Sequence, residues 1–385
     1  MSSTFVSHNN IISSLGCNSQ SVVRQVKKET TGLSLVTDER IHPKPFYTSI
    51  IPSEKLTESF KEIGVIDQYT KLEQMLILSL KDVIDASAIE LDDRVGIIVS
   101  TTKGNIDVLE KNSPFPKERA YLSSLGDAVK NFFGLSTEPI VLSNACVSGV
   151  LAVATAKRFI AQGRFDHVFI TSGDLVTQFI VSGFNSFQAL SDLPCKPYCK
   201  YRTGINIGEV AASVLVTSKK TGLTPEAVEI IGDASCNDAN HISGPSRTGE
   251  GLVRAVENAI QEATIETEDI DFISAHGTAT LYNDEMEAIA FNRLRMLHTP
   301  LHSLKGYFGH TLGASGLLET IVGMHSLHQN TLFASLGYTE RGVSKPLNII
   351  EKTTPKQLST FLKTASGFGG CNTAVIFKKA NKNHK

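Results

Sequence analysis

No apolar run in this sequence approaches the roughly 18 residues that a bilayer-spanning helix requires, which argues against a membrane protein. The opening stretch, MSSTFVSHNNIISSLG, lacks the basic start and apolar middle of a secretory signal. No sign of charge dominates: 37 Lys and Arg against 39 Asp and Glu leave a formal net charge of -2. A nucleic acid or an anionic membrane is therefore not the expected partner. Cysteines are few and scattered (Cys17, Cys146, Cys195, Cys199, Cys236 and Cys371), which is no disulfide framework. Reduced thiols in a cytoplasm are expected. Cys195 and Cys199 are spaced C-x3-C without a second Cys/His pair, so neither a structural zinc nor any other metal is expected. No P-loop pattern occurs. The run GFGG at 367–370 would need a third glycine at 372 to read as a dinucleotide loop. That position is Asn372, and no helix-like run follows.

What is present is an α/β pattern. At 385 residues the chain is large for one hydrophobic core and suggests two. RVGIIVST (94–101), EPIVLSNA (138–145) and DHVFITSGD (166–174) read as short, β-branched, buried strands, and GEVAASVLVTS (208–218) as another. An apolar helix is expected over 147–162. The polar stretch KKTGLTPEA then separates two halves, 1–219 and 220–385. The second half repeats the style. AVEIIGDASC and IDFISAHGT read as strands, and GASGLLETIVGMHSL as a helix. SRTGEGLVRAVENAIQEA reads as an amphipathic helix capped by Ser246 or Thr248. FLKTASGFGGCNTAVIFKK reads as two strands around a glycine turn, and the basic end KKANKNHK as a solvated tail. CVSGVLAV and GASGLLET echo one another, each opening a helix in its own half. Alternating strands and helices imply sheets covered by helices.

Four polar signals stand out, each with a plain alternative. Cys146, in SNACVSG, sits where a strand gives way to a helix. The partial positive charge and free N–H groups of a helix start favour a thiolate and can hold an oxyanion. A small buried core filler is the plain reading of a cysteine. His276 opens HGTAT at a strand end, where α/β proteins place active sites; a satisfied structural histidine is the alternative. Lys305 and His310 flank a small loop in LKGYFGHTLGASG. In SGFGGCN, three glycines permit either a tight hairpin or close approach of backbone to a ligand, with Phe368 held at the turn.

Taken in order, S-N-A-C-x-S-G, H-G-T-x-T, K-x4-H and G-F-G-G-x-N resemble the β-ketoacyl synthase family of decarboxylating condensing enzymes, over about residues 94–378. The resemblance implies a thiolase-like α/β fold: two pseudo-duplicated halves in five layers, α-β-α-β-α. It implies Cys146 as nucleophile, His276 and His310 as the paired histidines, and Lys305 as the lysine that orders them. It implies that Phe368 gates the acyl pocket and that its N–H joins that of Cys146 in an oxyanion hole. Thr278 and Thr280 match positions that hold a pantetheine arm, and Asp238, Asp284 and Glu287 match supporting acidic positions. No cofactor is implied on the chain itself, because the phosphopantetheine arm arrives on an acyl carrier protein.

The implied reaction is that of a 3-oxoacyl-[acyl-carrier-protein] synthase in fatty acid or polyketide-type elongation. The implied assembly is a homodimer, with a heterodimer of ketosynthase-like chains as the alternative. Two other readings stay open: a secondary-metabolite ketosynthase that needs a chain-length factor, and a non-catalytic partner subunit. The latter lack the nucleophilic cysteine, which Cys146 supplies here. Departures from the pattern include Cys371 after GFGG, Arg202-Thr203-Gly204, and Pro197-Tyr198-Cys199. Lys196, Lys200 and Arg202 read either as a docking patch for an acidic carrier or as a solvated loop.

Overall fold

The computed structural model describes residues 3–238 and 244–380. The β-branched runs become one mixed sheet of eleven strands. These are β1 (Phe5–Ser13), β2 (Val95–Ser100), β3 (Ile140–Leu142), β4 (His167–Asp174), β5 (Val210–Thr217), β6 (Val228–Asn237), β7 (Phe272–Ser274), β8 (Pro300–His302), β9 (Asn348–Ile349), β10 (Thr360–Ser366) and β11 (Cys371–Lys379). Their order is β9-β8-β7-β10-β11-β6-β1-β5-β4-β2-β3. Strands from residues 5–217 thus lie on one side and strands from 228–379 on the other. Within the sheet the two sides join where Phe5 faces Glu229 and Val6 faces Val228. Strands toward both outer edges run parallel, and β2 and β4 are buried along their whole length. That is why they read as continuous apolar runs rather than alternating ones.

Helices fill the remaining three layers. The first, α1 (Lys71–Ser87), begins in a reciprocal capping box between Thr70 and Glu73 and covers β1, β4 and β5. Leu72, Met75, Leu76 and Leu80 pack there on Ile97, Val99 and Phe169. In the middle lie α2 (Ser148–Ala161) and, from the second half of the chain, the helix Ser315–Gln329, packed on one another between the two sides of the sheet. Three helices intervene in the numbering or flank the far side: α3 (Gln178–Ser186), α4 (Glu250–Ala263) and α5 (Leu281–Arg293), so the helix Ser315–Gln329 is α6. Helix α4 covers β6 and β11 and completes the five layers α-β-α-β-α.

The echo between CVSG and GASG has a physical basis. A Cβ on Gly149 would lie 2.7 Å from the Leu317 nitrogen and 2.8 Å from the Gly313 oxygen. A Cβ on Gly316 would lie 2.6 Å from the Val150 nitrogen. The two helix starts therefore meet glycine to backbone. Every residue of α6 from Ser315 to Leu327 is buried, as expected for a helix enclosed on all sides.

Two local expectations are corrected. Strand β3 is short, Ile140–Leu142, because the chain leaves the sheet edge at Ser143 to turn into α2. Helix α4 is not capped by Ser246 or Thr248: its N-cap is Gly249, with φ 66°. The Gly251 N–H is instead accepted by Asp238 Oδ1 at 2.7 Å, from a distant loop. The last residues of the expected basic tail, 381–385, lie outside the described residues.

Candidate active site

The turn before α2 is tightly wound. Ala145 adopts φ 44°, and Ser148 Oγ accepts the Asn144 N–H at 2.7 Å while donating to the Ala145 carbonyl at 2.7 Å. This places Cys146 at the mouth of α2, only 7% exposed. The thiol does not follow the expectation of a lowered pKa: burial pushes it up to about 12, opposed by Lys305 and by the Phe368 backbone N–H. Desolvation outweighs the helix start, so the resting group is a protonated thiol.

His276 follows the end of β7. Two carboxylates from α5 gather the amides of its turn. Glu287 accepts the N–H groups of His276 (2.9 Å) and Gly277 (2.7 Å), and Asp284 accepts those of Thr278 (2.9 Å) and Ala279 (3.2 Å). The same pair holds Tyr198, through its N–H to Asp284 and its hydroxyl to Glu287. Both acids are fully buried, and burial raises the Glu287 pKa to about 7. Their contacts make them scaffold for the histidine loop. Thr280 caps α5 at Asn283, and its hydroxyl lies 2.8 Å from that of Thr278.

His310 Nδ1 accepts the Leu312 N–H at 3.2 Å and lies 3.1 Å from Ser315 Oγ. A neutral ring therefore carries its proton on Nε2. The two imidazole rings stand 5.2 Å apart at 78°. Both pKa values fall well below 6.5, first through burial and then through Lys305. One donor atom from each of Cys146, His276 and His310 lies within 4.8 Å of the other two.

Lys305 is buried and donates to the His276 carbonyl at 2.6 Å while pairing with Glu319 at 2.8 Å. Behind it stands a second buried lysine, Lys363, on the other oxygen of the same glutamate. Phe368 is 38% exposed, with its ring 5.7 Å from Phe184 and 5.4 Å from Phe187. Its turn is closed by the Gly367 N–H to the Cys371 carbonyl and by the Asp238 N–H to the Gly370 carbonyl. Gly369 and Gly370 take φ values of 85° and 79°, which only glycine adopts freely. The Asp238 carboxylate also accepts from Asn372, so one side chain ties the turn to α4.

A cavity of about 570 Å³ joins these groups, lined by Cys146, His276, His310, Phe368, Thr278 and Thr280 among others. Leu281 and Tyr282 stand exposed beside it. Lys305, Asp284 and Glu287 lie behind its wall, and Asp238 lines it. The expected docking patch is corrected in part. Arg202 is 7% exposed and donates to the carbonyls of Cys199 and Gly342, because it holds its own loop rather than facing solvent. Lys200 is exposed but paired with Glu340. Sequence reasoning missed Glu319, Lys363, Phe184 and Phe187. A single acid inside the apolar run GASGLLETIV and a lysine inside FLKTAS were the available signals for the first two.

Comparison with known proteins points to one family. Residues 83–222 match the β-ketoacyl synthase N-terminal domain and 227–339 the β-ketoacyl synthase C-terminal domain, together more than half of the chain. The chain is 28% identical over 337 residues to 3-oxoacyl-[acyl-carrier-protein] synthase 2 of Coxiella burnetii, covering 80% of this chain and 81% of that one. It is 28% identical over 295 residues to a putative polyketide β-ketoacyl synthase 1 of Streptomyces halstedii, covering 73% and 70%. Among solved structures, the ketosynthase ApeO in complex with its chain length factor ApeC from Xenorhabdus doucetiae shares the fold with a TM-score of 0.85 at 23% identity, covering 98% of both chains. The ishigamide ketosynthase/chain length factor gives 0.89 at 21%, covering 98% and 99%. A buried cysteine at a helix mouth, two neutral histidines and both matching domains lead to one conclusion: this chain is an acyltransferase-type enzyme and belongs to the β-ketoacyl synthase family.

Proposed function

We propose that the protein is a 3-oxoacyl-[acyl-carrier-protein] synthase that performs a decarboxylative Claisen condensation. The observation that carries this reading is the convergence of the Cys146 thiol with two neutral imidazoles on one cavity. In the first half-reaction, Cys146 sulfur attacks an acyl thioester. Its proton leaves as the S–C bond forms, with a nearby imidazole as first acceptor, and ends on the departing pantetheine thiol. The N–H groups of Cys146 and Phe368 hold the oxyanion. Phe368, followed by the two left-handed glycines Gly369 and Gly370, gates the acyl pocket.

In the second half-reaction, the C–C bond of a malonyl thioester breaks. Its electron pair moves into an enolate and CO2 departs. His310, with its proton on Nε2, and His276 donate to the enolate oxygen without a metal. The enolate carbon then attacks the acyl carbonyl, and Cys146 sulfur leaves and regains a proton. Thr278 and Thr280 line the route for the pantetheine arm, which arrives on an acyl carrier protein, so the chain carries no cofactor of its own. The C. burnetii relative's name supports this carrier, as does a solved polyketide ketosynthase described with its acyl-carrier protein.

A second reading differs in pathway and partner. Two structural neighbours are ketosynthases described with a chain length factor. In this reading the chain is a ketosynthase subunit of a secondary-metabolite system. In either case we propose a dimer built on the edge strand β3, which ends next to the nucleophile turn. Intact mass after exposure to acyl-carrier thioesters, with CO2 release from a malonyl-carrier thioester, tests the function. A Cys146 that takes up no acyl group from any carrier thioester, alone or with a partner, removes it.

A further inference from the structure

Two lysines are wholly buried in the described structure, Lys305 and Lys363, and both converge on Glu319. Lys305 pairs with Oε1 at 2.8 Å and Lys363 with Oε2 at 2.6 Å. Each also donates to backbone. Lys363 Nζ reaches the carbonyls of Thr364 (2.6 Å), Ser274 (3.1 Å) and Ala275 (3.4 Å), and Lys305 Nζ that of His276 (2.6 Å). Three successive carbonyls, 274 to 276, are therefore held by two ammonium groups. Lys363 sits on β10 directly opposite Ser274 on β7, and β10 runs on into the turn that carries Phe368. One side chain thus ties the strand bearing the gate and oxyanion amide to the strand bearing His276.

We propose that Lys363 is a positioning residue for the condensation step. It fixes the His276 backbone against the Phe368 strand and supplies a second positive charge behind both imidazoles, held there by Glu319 against the burial that lowers its pKa. Two ammonium groups against one carboxylate leave that centre with a net positive charge, which disfavours a proton on either ring. Around the histidines stand Cys146 at the mouth of α2, Lys305, Lys363, Glu319 from α6, and Glu287 from α5 on the His276 N–H; Asp174 at the end of β4 faces Cys146, and Asp284 and Tyr198 pair behind the His276 loop. Lys363 is itself faced by Glu319, Lys305, Glu287 and His302. The imidazoles feel both lysines.

The inference rests on the synthase reading, so the experiment has one readout independent of turnover. The imidazole titrations of His276 and His310 are followed by NMR in the unmodified protein, Lys363→Met and Lys363→Arg. In Lys363→Met, Glu319 keeps Lys305 as a partner, and at least one midpoint should rise by about one pH unit. The acid limb of CO2 release should move the same way. Lys363→Arg keeps the charge and should titrate like the unmodified protein. Midpoints that stay put in Lys363→Met overturn the proposal, and so does an arginine variant that shifts as far as the methionine one. Lys363→Gln replaces Lys363→Met if the latter does not fold. If the imidazoles move as expected but the unmodified protein releases no CO2, the poising role stands and the synthase reading falls.

Discussion

His276 and His310 touch the same cavity as Cys146 but make none of its local contacts, so the two half-reactions separate at single residues. His276→Ala or His310→Ala is expected to lower CO2 release and condensation by on the order of 10²-fold or more, as loss of an oxyanion-hole donor does. Acyl uptake at Cys146 should persist in both, slowed where the imidazole that first accepts the thiol proton is lost. Cys146→Ala should reverse the pattern, losing the acyl adduct while some malonyl decarboxylation remains. Adduct mass and CO2, measured on the same samples, check this; histidine variants that condense at the unmodified rate contradict it. These three residues were legible in the sequence because each sits in a short motif at an element's end. Glu319 and Lys363 were not, since a charge inside an apolar run reads as noise until its partner, 14 or more residues away in the chain, is placed beside it. The protonation state of Cys146 was also illegible. A helix start is visible in sequence, but the depth of burial that outweighs it is not.

At the scale of elements, the strands and helices announced by β-branched runs and helical periodicity mostly ended within a few residues of their observed places, but β1, β8, β9, α1, α3 and α5 went unread. The joins could not be read. Helix α4 takes its cap from Asp238, whose other oxygen accepts from Asn372 and whose N–H closes the GFGG turn. No local pattern announces a cap 13 residues upstream of the N–H it satisfies. Asp238→Ala should cost about 1 kcal/mol in urea unfolding, the usual value of a lost cap. It should also slow acyl uptake, because the turn that presents the Phe368 amide loses its tether. Unchanged uptake with the stability loss would confine Asp238 to capping. Arg202 illustrates the opposite error. A basic residue in a polar loop looked solvated, yet the loop closes over it and uses its guanidinium for two carbonyls.

For the molecule as a whole, the buried titratable groups set a direction with pH. His302 is fully buried on β8, with Nδ1 3.0 Å from the Phe333 carbonyl and its pKa lowered by burial to about 4. The unfolded chain takes up a proton near pH 6.5 that the fold refuses, so stability is complete above that pH and is lost as pH falls toward 4. The loss approaches about 3 kcal/mol for this one group. His276 and His310 act in the same direction. Glu287 acts in the other: with its pKa near 7 in the fold, it holds a proton between about pH 7 and 4.5 that the unfolded chain releases. Asp107, raised by burial to about 6, and the buried Asp174 and Asp284 act with Glu287. One histidine's share is therefore read by difference: His302→Gln should lose less stability in urea than the unmodified protein as pH falls from about 6.5 toward 4, and an identical change in both would refute the assignment.

The glycine contact between the starts of α2 and α6 carries a consequence for how such a chain can change over time. The approach of the helix behind Cys146 to the helix behind His310 is gauged by two missing methyl groups, Gly149 against Leu317 and Gly316 against Val150. An alanine at either place meets main-chain atoms, which no replacement on the opposite helix can remove. Second-site suppressors should therefore be absent for this pair, in contrast to ordinary core positions, where volume lost on one side is regained on the other. In a saturation library selected for activity, positions 149 and 316 should tolerate almost nothing, singly or together. Surface loops around them can meanwhile drift as far as the 28% identity to known synthases already suggests.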